Sequence, residues 1–213
     1  NAPTNQSTSK KLVSIEISDN VANPVNKAIY NFSYGYFEAS DYALPTGYSY
    51  SDVGNTHKKR LKLTSITMPN SSNYSFNYIN EADTGYSRFT YGVDHWGYAN
   101  GKESNFHNKA LLGQDYLFTG ASCGSDRSSD FSKGKSSLLS RIKQSSGTET
   151  VIDYESNTAY NYADEIGGGR VKSIITYDLI KGTAIKKNYN YNKANGQSSG
   201  FLFIKPVYRI ISN

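Results

Sequence analysis

A two-part pattern recurs four times along this chain: a short basic and β-branched run is followed by an alternation of aromatic and polar residues. The four units occupy residues 10–34, 59–78, 138–154 and 169–191, and the third copy is the weakest. Recurrence in a fixed order marks a repeated supersecondary unit, which hides its apolar face only by stacking on neighbouring copies. The chain is therefore expected to fold as an array of such units.

Each unit is predicted to form a β-hairpin. In the second unit, residues 61–66 carry apolar and β-branched side chains, residues 69–73 supply turn chemistry, and Tyr74, Phe76 and Tyr78 then recur at a period of two. This alternation predicts a two-stranded ribbon with one buried aromatic face and one polar, solvent-exposed face. A lone hairpin is marginally stable in water, so the ribbons must join a larger sheet. The predicted fold class is all-β and mainly antiparallel, with stacked hairpins forming a twisted, partly wound sheet.

The fourth unit has Gly-Arg-Val-Lys-Ser-Ile at residues 169–174 and closes with Tyr-Asn-Tyr at residues 189–191. These two motifs resemble the YD repeat of the Rhs family. The second unit has Arg60 before Leu61 and ends in Tyr78. The aspartate that closes the family's repeat is absent from both units, and Asn192 stands in its place in the fourth.

A second segment carries the same resemblance. Residues 94–101 read Asp-His-Trp-Gly-Tyr-Ala-Asn-Gly, which is similar to a segment between such hairpins in large YD-like surface proteins of Gram-negative bacteria. The resemblance covers most of residues 10–210. It implies a long wound β-sheet, in some relatives a hollow shell around a toxin, and no catalytic residues in the repeats themselves.

The composition is typical of a β protein outside the cell. Of 213 residues, 19 are Tyr, 9 are Phe and 18 are Gly, whereas Met occurs once. Apolar runs such as residues 201–204 fall far short of the roughly 20 residues of a membrane helix, so no membrane span is predicted. The chain begins with Asn rather than Met and is expected to be a mature or excised piece of a secreted or cell-surface protein. A flexible segment at residues 1–9 is expected to precede a single β domain at residues 10–213.

Residues 80–136 interrupt the repeat and are predicted to form an irregular insertion, where binding is most readily grafted onto a regular scaffold. Within this insertion, the candidate glycan-binding residues are Asp94, His95, Trp96 and Tyr98. The Trp96 and Tyr98 rings can stack on a sugar. Consecutive strand residues point to opposite faces, so Asp94 and His95 can face one another only if the strand breaks there. Trp96, the only tryptophan, is predicted to be an internal anchor.

No metal or cofactor is predicted. The three histidines, His57, His95 and His107, are scattered and lack the spacing of a ligand set, even together with the single cysteine. That cysteine, Cys123, lies in a loop of small residues and is expected to be inert, because a nucleophilic thiol needs an adjacent base.

Carboxylates offer one enzymatic hypothesis. Asp153 and Glu155 would lie on one face of a strand, and together with Asp94 they could supply the acid and base of a glycan hydrolase or lyase. Residues 164–169, Asp-Glu-Ile-Gly-Gly-Gly, are predicted to be an exposed loop leading into the next strand. They are no phosphate loop, because neither Lys-Ser nor Lys-Thr follows them. The preferred hypothesis is that the chain is not an enzyme.

Charge adds little to the functional prediction. The formal net charge is +5, and the basic clusters at residues 58–60 and 186–187 lie where predicted strands begin or run to an edge. Lysine in such places guards a sheet against edge-to-edge aggregation, so nucleic-acid binding is not predicted.

These observations favour a non-catalytic structural or binding section of a larger secreted or cell-surface protein. Its expected partners are flanking repeats of the same polypeptide or a surface or secretion partner. A carbohydrate-binding or adhesion module is the first alternative, and a glycan-degrading domain is the second.

Overall fold

The computed structural model describes residues 10–19, 27–39, 58–80, 90, 92–102 and 126–204. In these ranges it shows eight strands and one short helix, α1 (Phe131–Gly134), which lies between β4 and β5. No helix among the described residues is long and apolar enough to cross a membrane. The strands are β1 (Ser14–Ser18), β2 (Lys27–Glu38), β3 (Lys59–Thr67), β4 (Asn73–Tyr78), β5 (Leu139–Gln144), β6 (Thr148–Ala159), β7 (Tyr162–Asp178) and β8 (Thr183–Asn188).

All eight strands form one open antiparallel sheet, in which β1 to β8 follow one another in chain order. The all-β, mainly antiparallel prediction is confirmed. Each predicted unit is a hairpin, because β1 pairs with β2, β3 with β4, β5 with β6, and β7 with β8. The hairpins lie side by side and share hydrogen-bonded edges at β2–β3, β4–β5 and β6–β7.

A tyrosine closes each hairpin with the same hydrogen bond. In the second unit, the Tyr78 hydroxyl donates to the main-chain oxygen of Leu63 over 2.7 Å. The register of this hairpin is set by the pair Ser75 and Ser65. The tyrosine lies three residues after the first member of the pair, and Leu63 lies two residues before the second. The same register and bond, at 2.8 Å each, recur in the other three units for Tyr34 with Leu12, Tyr154 with Leu139, and Tyr191 with Val171.

The junctions between hairpins repeat as well. Where β4 meets β5, Phe76 lies opposite Ile142, a one-residue bulge follows, and Tyr78 lies opposite Leu139. A bulge lets one strand carry an extra unpaired residue without losing the rest of the ladder. The β2–β3 and β6–β7 junctions show the same order, with Phe32 opposite Ile66 and Tyr34 opposite Leu63, and with Ile152 opposite Ile174 and Tyr154 opposite Val171.

The aromatic faces are less buried than predicted. Tyr74, Phe76 and Tyr78 on β4 are each only partly buried. Among the described residues, the hydrophobic side chains that are buried are Phe37, Ala39 and Ala159. The prediction of buried aromatic faces is therefore wrong in degree: among the described residues, the β4 rings lie against side chains of neighbouring strands and keep part of their surface exposed.

The prediction of an exposed loop at residues 164–169 is wrong. These residues lie within β7, which pairs with β6 through several bulges, and Gly167 and Gly168 are buried. Only Gly168, at φ +83°, has the left-handed backbone that favours glycine. The glycines serve another purpose, because a segment of the predicted insertion packs directly on them.

Replacing Tyr154 with Phe tests the tyrosine hydrogen bond. We expect the free energy of unfolding to fall by about 1 kcal/mol at neutral pH, since the Leu139 oxygen loses its donor while the ring stays. Tyr36→Phe, on a half-exposed ring, is the matched control and should change little. Urea unfolding of both variants measures the difference, and equal stabilities would contradict the expectation.

Alkaline pH gives the same pair of proteins a second readout. Burial raises the pKa of Tyr154 above its ordinary value of about 10. The folded chain then keeps a phenolic proton that the unfolded chain releases, so the contribution is complete below pH about 10 and is lost as pH rises through the folded-state pKa. Tyr154→Phe should therefore show a shallower loss of stability above pH 10 than the parent or Tyr36→Phe.

Candidate functional site

The predicted cluster lies in a tight reversal, residues 92–100, which we call the Asp94 turn. Val93 bridges Ala99 in antiparallel fashion, the Asp94 amide donates to the Tyr98 oxygen over 2.8 Å, and Gly97 has φ +89°. The chain therefore leaves strand geometry between Val93 and Ala99. Such a break is the condition under which the sequence allows Asp94 and His95 to face one another.

The Asp94 carboxylate holds the turn together from inside. Its Oδ1 accepts the main-chain N–H groups of Trp96 and Tyr98, both over 2.9 Å, and its Oδ2 accepts the Ser129 hydroxyl over 2.9 Å. The main-chain oxygen of Asp94 accepts Arg127 Nη2 over 2.8 Å. Asp94 is only 1% exposed, and these hydrogen bonds satisfy its oxygens in a place where water cannot.

The Asp94 turn docks on the glycines of β7. A Cβ atom on Gly167 would overlap Asp94 Oδ2 and come within 2.9 Å of the Trp96 Cβ. A Cβ on Gly168 would come within 2.7 Å of the Tyr98 ring. Glycine is required here because the turn occupies the volume that a side chain would need.

The short helix α1 binds β7 beside this turn. The Phe131 amide donates to Glu165 Oε2 over 2.9 Å, and the Phe131 ring lies where a Cβ on Gly169 would fall. Residues 126–136 and 92–102 of the predicted insertion therefore contact the same stretch of β7. The rest of the predicted insertion, residues 81–89, 91 and 103–125, lies outside the described residues, so its irregularity stays a prediction.

The four cluster residues differ sharply in exposure. His95 is buried and its ring meets the Trp96 ring edge-on, with centroids 5.9 Å apart. Trp96 is only partly buried, so the prediction of an internal anchor holds for its contact with Gly167 but not for full burial. Tyr98 is 46% exposed and is the member most accessible to a ligand.

Asn100 connects the turn to the segment before α1. It is 1% exposed, and its side-chain amide donates to the main-chain oxygens of Asp126 and Ser128 over 3.1 and 2.9 Å. Partial burial acts to raise the pKa of the Asp126 carboxyl, but hydrogen bonds from Ser128 and the charge of Lys102 outweigh it and leave that pKa below its ordinary value. Asn100 was not predicted as a site residue.

The carboxylates of the enzymatic hypothesis have separate partners. Glu155 is held by Arg170, with Nε and Oε1 2.8 Å apart, whereas Asp153 is exposed and lies 3.8 Å from Lys172 Nζ. The bulge at this point is on β7, where Lys172 is the extra residue, so residues 153–155 of β6 keep their alternation and the two carboxylates differ in their partners rather than in their face. Cys123, His57 and His107 lie outside the described residues, and the part of the chain that is described holds no metal-binding group of three.

A second turn repeats the first, and the sequence analysis missed it. Residues 191–199, which we call the Gly196 turn, contain an antiparallel bridge from Asn192 to Ser198. The Asp94 turn has three main-chain hydrogen bonds within residues 92–100, and each of them recurs in the Gly196 turn between residues numbered 99 higher. Gly196 has φ +81°, like Gly97. The sequence signal that could have revealed this second turn is a shared glycine spacing: Gly97 is four residues before Gly101, and Gly196 is four residues before Gly200.

The Gly196 turn docks on the sheet at Thr158 and Tyr160, where β6 ends and the chain turns into β7. The Ser198 hydroxyl donates to the Thr158 oxygen over 2.7 Å, and the Tyr160 amide donates to the Gly200 oxygen over 3.0 Å. Lys193 Nζ lies 3.7 Å from the centre of the Tyr160 ring. Both turns therefore bind β6 and β7, the strands that join the third and fourth hairpins.

Fold and site together define a class: an open antiparallel sheet of repeated hairpins, with tight turns docked on its longest strands. A scan against protein-family models finds no match, and a search of curated proteins finds no significant relative.

Proposed function

We propose that this chain is a non-catalytic structural section of a larger secreted or cell-surface protein of the YD-repeat type. The observation that carries the proposal is the repetition of one hairpin and one junction along an open sheet. Four hairpins share a tyrosine hydrogen bond, and three junctions share a register and a bulge. Units of this kind gain stability from their neighbours rather than from a private core.

The outer strands support this proposal. Every residue of β1 and of β8 is exposed, including Ile15, Ile17 and Ile185. Exposed apolar residues on an outer strand are a liability for an isolated domain, because the edge can pair with other chains. Flanking repeats of the same polypeptide would cover them.

Site chemistry favours a structural role over catalysis. A general acid or base needs a carboxylate that can reach a substrate proton. Asp94 accepts hydrogen bonds from two N–H groups of its own turn and from the Ser129 hydroxyl, and Glu155 is paired with Arg170. The best-formed polar cluster of the described residues thus serves to attach a turn to the sheet.

Size and location test the proposal. Antibodies against the purified chain should detect, in fractionated cells of the source organism, a polypeptide much larger than 23.6 kDa in the secreted or surface fraction. A surface-exposed band that is lost when intact cells are treated with protease would support the proposal. A band of about the chain's own mass that stays in the cell interior would contradict it.

Carbohydrate binding is the second candidate, because one observation favours it. Tyr98 is half exposed on a rigid turn with Trp96 beside it, and exposed aromatic rings on rigid elements can stack on sugars. Loss of polysaccharide retention in a Tyr98→Ala protein that melts like the parent would favour this role over a purely structural one.

A further inference from the structure

We propose that β8 of one copy of this chain pairs with β1 of a second copy, in the register of the three internal junctions. Tyr189 would lie opposite Ile15, Asn190 opposite Ser14, and Tyr191 opposite Leu12 across a bulge at Val13. The inference depends on the junction geometry and not on the proposed function, so a chain that proves to be a complete protein would leave it intact.

The end of the fourth hairpin has the pattern that every junction uses on its first side. The internal junctions present an apolar residue, a polar residue and then the closing tyrosine, as in Phe76-Asn77-Tyr78. Tyr189-Asn190-Tyr191 repeats that order, with Tyr191 bound to the Val171 oxygen like its counterparts. Because β8 is the last strand of the sheet formed by the described residues, no described strand lies opposite this pattern as one does in the internal junctions.

The opposite edge carries the complementary pattern. The strand that receives a closing tyrosine has an aliphatic residue, an unpaired bulge residue, a serine or arginine and then isoleucine, as in Leu63-Thr64-Ser65-Ile66. Leu12-Val13-Ser14-Ile15 has the same order, and β1 is the first strand of the sheet. The two outer strands are thus the two halves of a fourth junction.

Charge selects this pairing over the symmetric one. Extending the β6–β7 register places Asn188 opposite Glu16 and Lys186 opposite Ser18, so Lys186 and Glu16 become diagonal neighbours on one face. Two β8 strands would instead bring Lys186 and Lys187 of both copies together, and like charges across a pair are unfavourable. A β8–β1 contact is head-to-tail, so it can continue from copy to copy.

Cysteine pairs on the two strands test the register. All proteins carry Cys123→Ser, and each chain bears one new cysteine: Asn190→Cys or Lys186→Cys on β8, Ser14→Cys or Ser18→Cys on β1. The four positions are exposed, and the two serines are about 13 Å apart along β1. Each β8 variant is mixed with each β1 variant at high concentration and treated with a short bifunctional thiol reagent.

We expect Asn190→Cys to cross-link with Ser14→Cys, and Lys186→Cys with Ser18→Cys, at least about tenfold more than the two crossed combinations, because only opposite residues come within reach. Equal yields in all four mixtures, or no dimer in any of them, would overturn the proposal.

Hydrogen exchange of the unmodified chain supplies a check that needs no variant to fold. Amide protection in β1 and β8 should rise with protein concentration while β4 and β5 stay constant, and protection independent of concentration in all strands would overturn the proposal.

Discussion

Replacing Asp94 with Ala should lower the free energy of unfolding by about 3–5 kcal/mol. The carboxylate accepts hydrogen bonds from Trp96, Tyr98 and Ser129, and its loss leaves buried donors without acceptors. A loss of this size is a large part of the stability of an ordinary domain. Urea unfolding measures it, and the emission of the chain's only tryptophan, which lies in the Asp94 turn, reports whether the turn itself has opened.

Asp94→Asn is the matched control. The amide oxygen can still accept the two main-chain N–H groups, and the amide nitrogen can donate to the Ser129 hydroxyl, which also accepts. We expect a loss of about 1 kcal/mol and nearly parental tryptophan emission. Equal losses in the two variants would show that the negative charge matters more than the hydrogen bonds, and a parental Asp94→Ala protein would refute the structural role.

The second large effect is expected from Gly167→Ala. The new methyl group would overlap Asp94 Oδ2 and press on the Trp96 Cβ, and the Asp94 turn cannot yield without breaking the bond to Ser129. Overpacking of this kind costs about 1–3 kcal/mol, and we expect the upper end of that range because the contact is with a buried, hydrogen-bonded carboxylate. Tryptophan emission should shift to longer wavelength in the folded protein.

Gly35→Ala controls for the glycine-to-alanine exchange itself. Gly35 lies in β2, and a Cβ there makes only ordinary contacts, at 3.4 Å from Thr64 Cγ2 and 3.6 Å from Lys62 Cε. Alanine restricts the unfolded chain, so this variant should be neutral or slightly stabilised. If both alanine variants unfold at the same urea concentration with unchanged emission, the turn does not dock on β7 as described.

The basic positions illustrate how far charge could be interpreted from the sequence. Lys186 and Lys187 do lie on an outer strand, as predicted from their place in the fourth hairpin. Lys59 begins β3 as predicted, but that strand is internal and the lysine faces Glu38 at 3.5 Å. The sequence marks the start of a strand, whereas only the order of the hairpins in the sheet decides which strand is an edge.

The hairpins themselves were predictable because their causes are local. A period of two in apolar and aromatic residues predicts strands, and turn residues between two such runs predict a reversal. That reasoning located all four hairpins, including the divergent third unit of β5 and β6. The tyrosine hydrogen bonds could not be predicted from the sequence, because they join residues 15 to 22 positions apart. Such residues meet only after the strands have paired in one particular register.

The Asp94 turn shows what could not be inferred from local pattern. Asp94 and His95 stood out for their chemistry, yet their burial depends on docking against β7, more than 70 residues later. The run Gly167-Gly168-Gly169 resembled a loop because glycine supplies flexible backbone angles. In the folded chain those glycines form a strand, and what they provide is space for a turn from elsewhere in the sequence.

The sequence by itself determined the strands, their turns and the all-β class, because alternation and turn chemistry act between residues a few positions apart. Only the tertiary structure decided that the hairpins lie side by side in an open sheet, that Asp94 and Asn100 are enclosed while Tyr98 stays exposed, and that two turns bind the β6–β7 junction. These outcomes depend on which distant surfaces meet and exclude water, and burial is a property of that contact and not of any short segment.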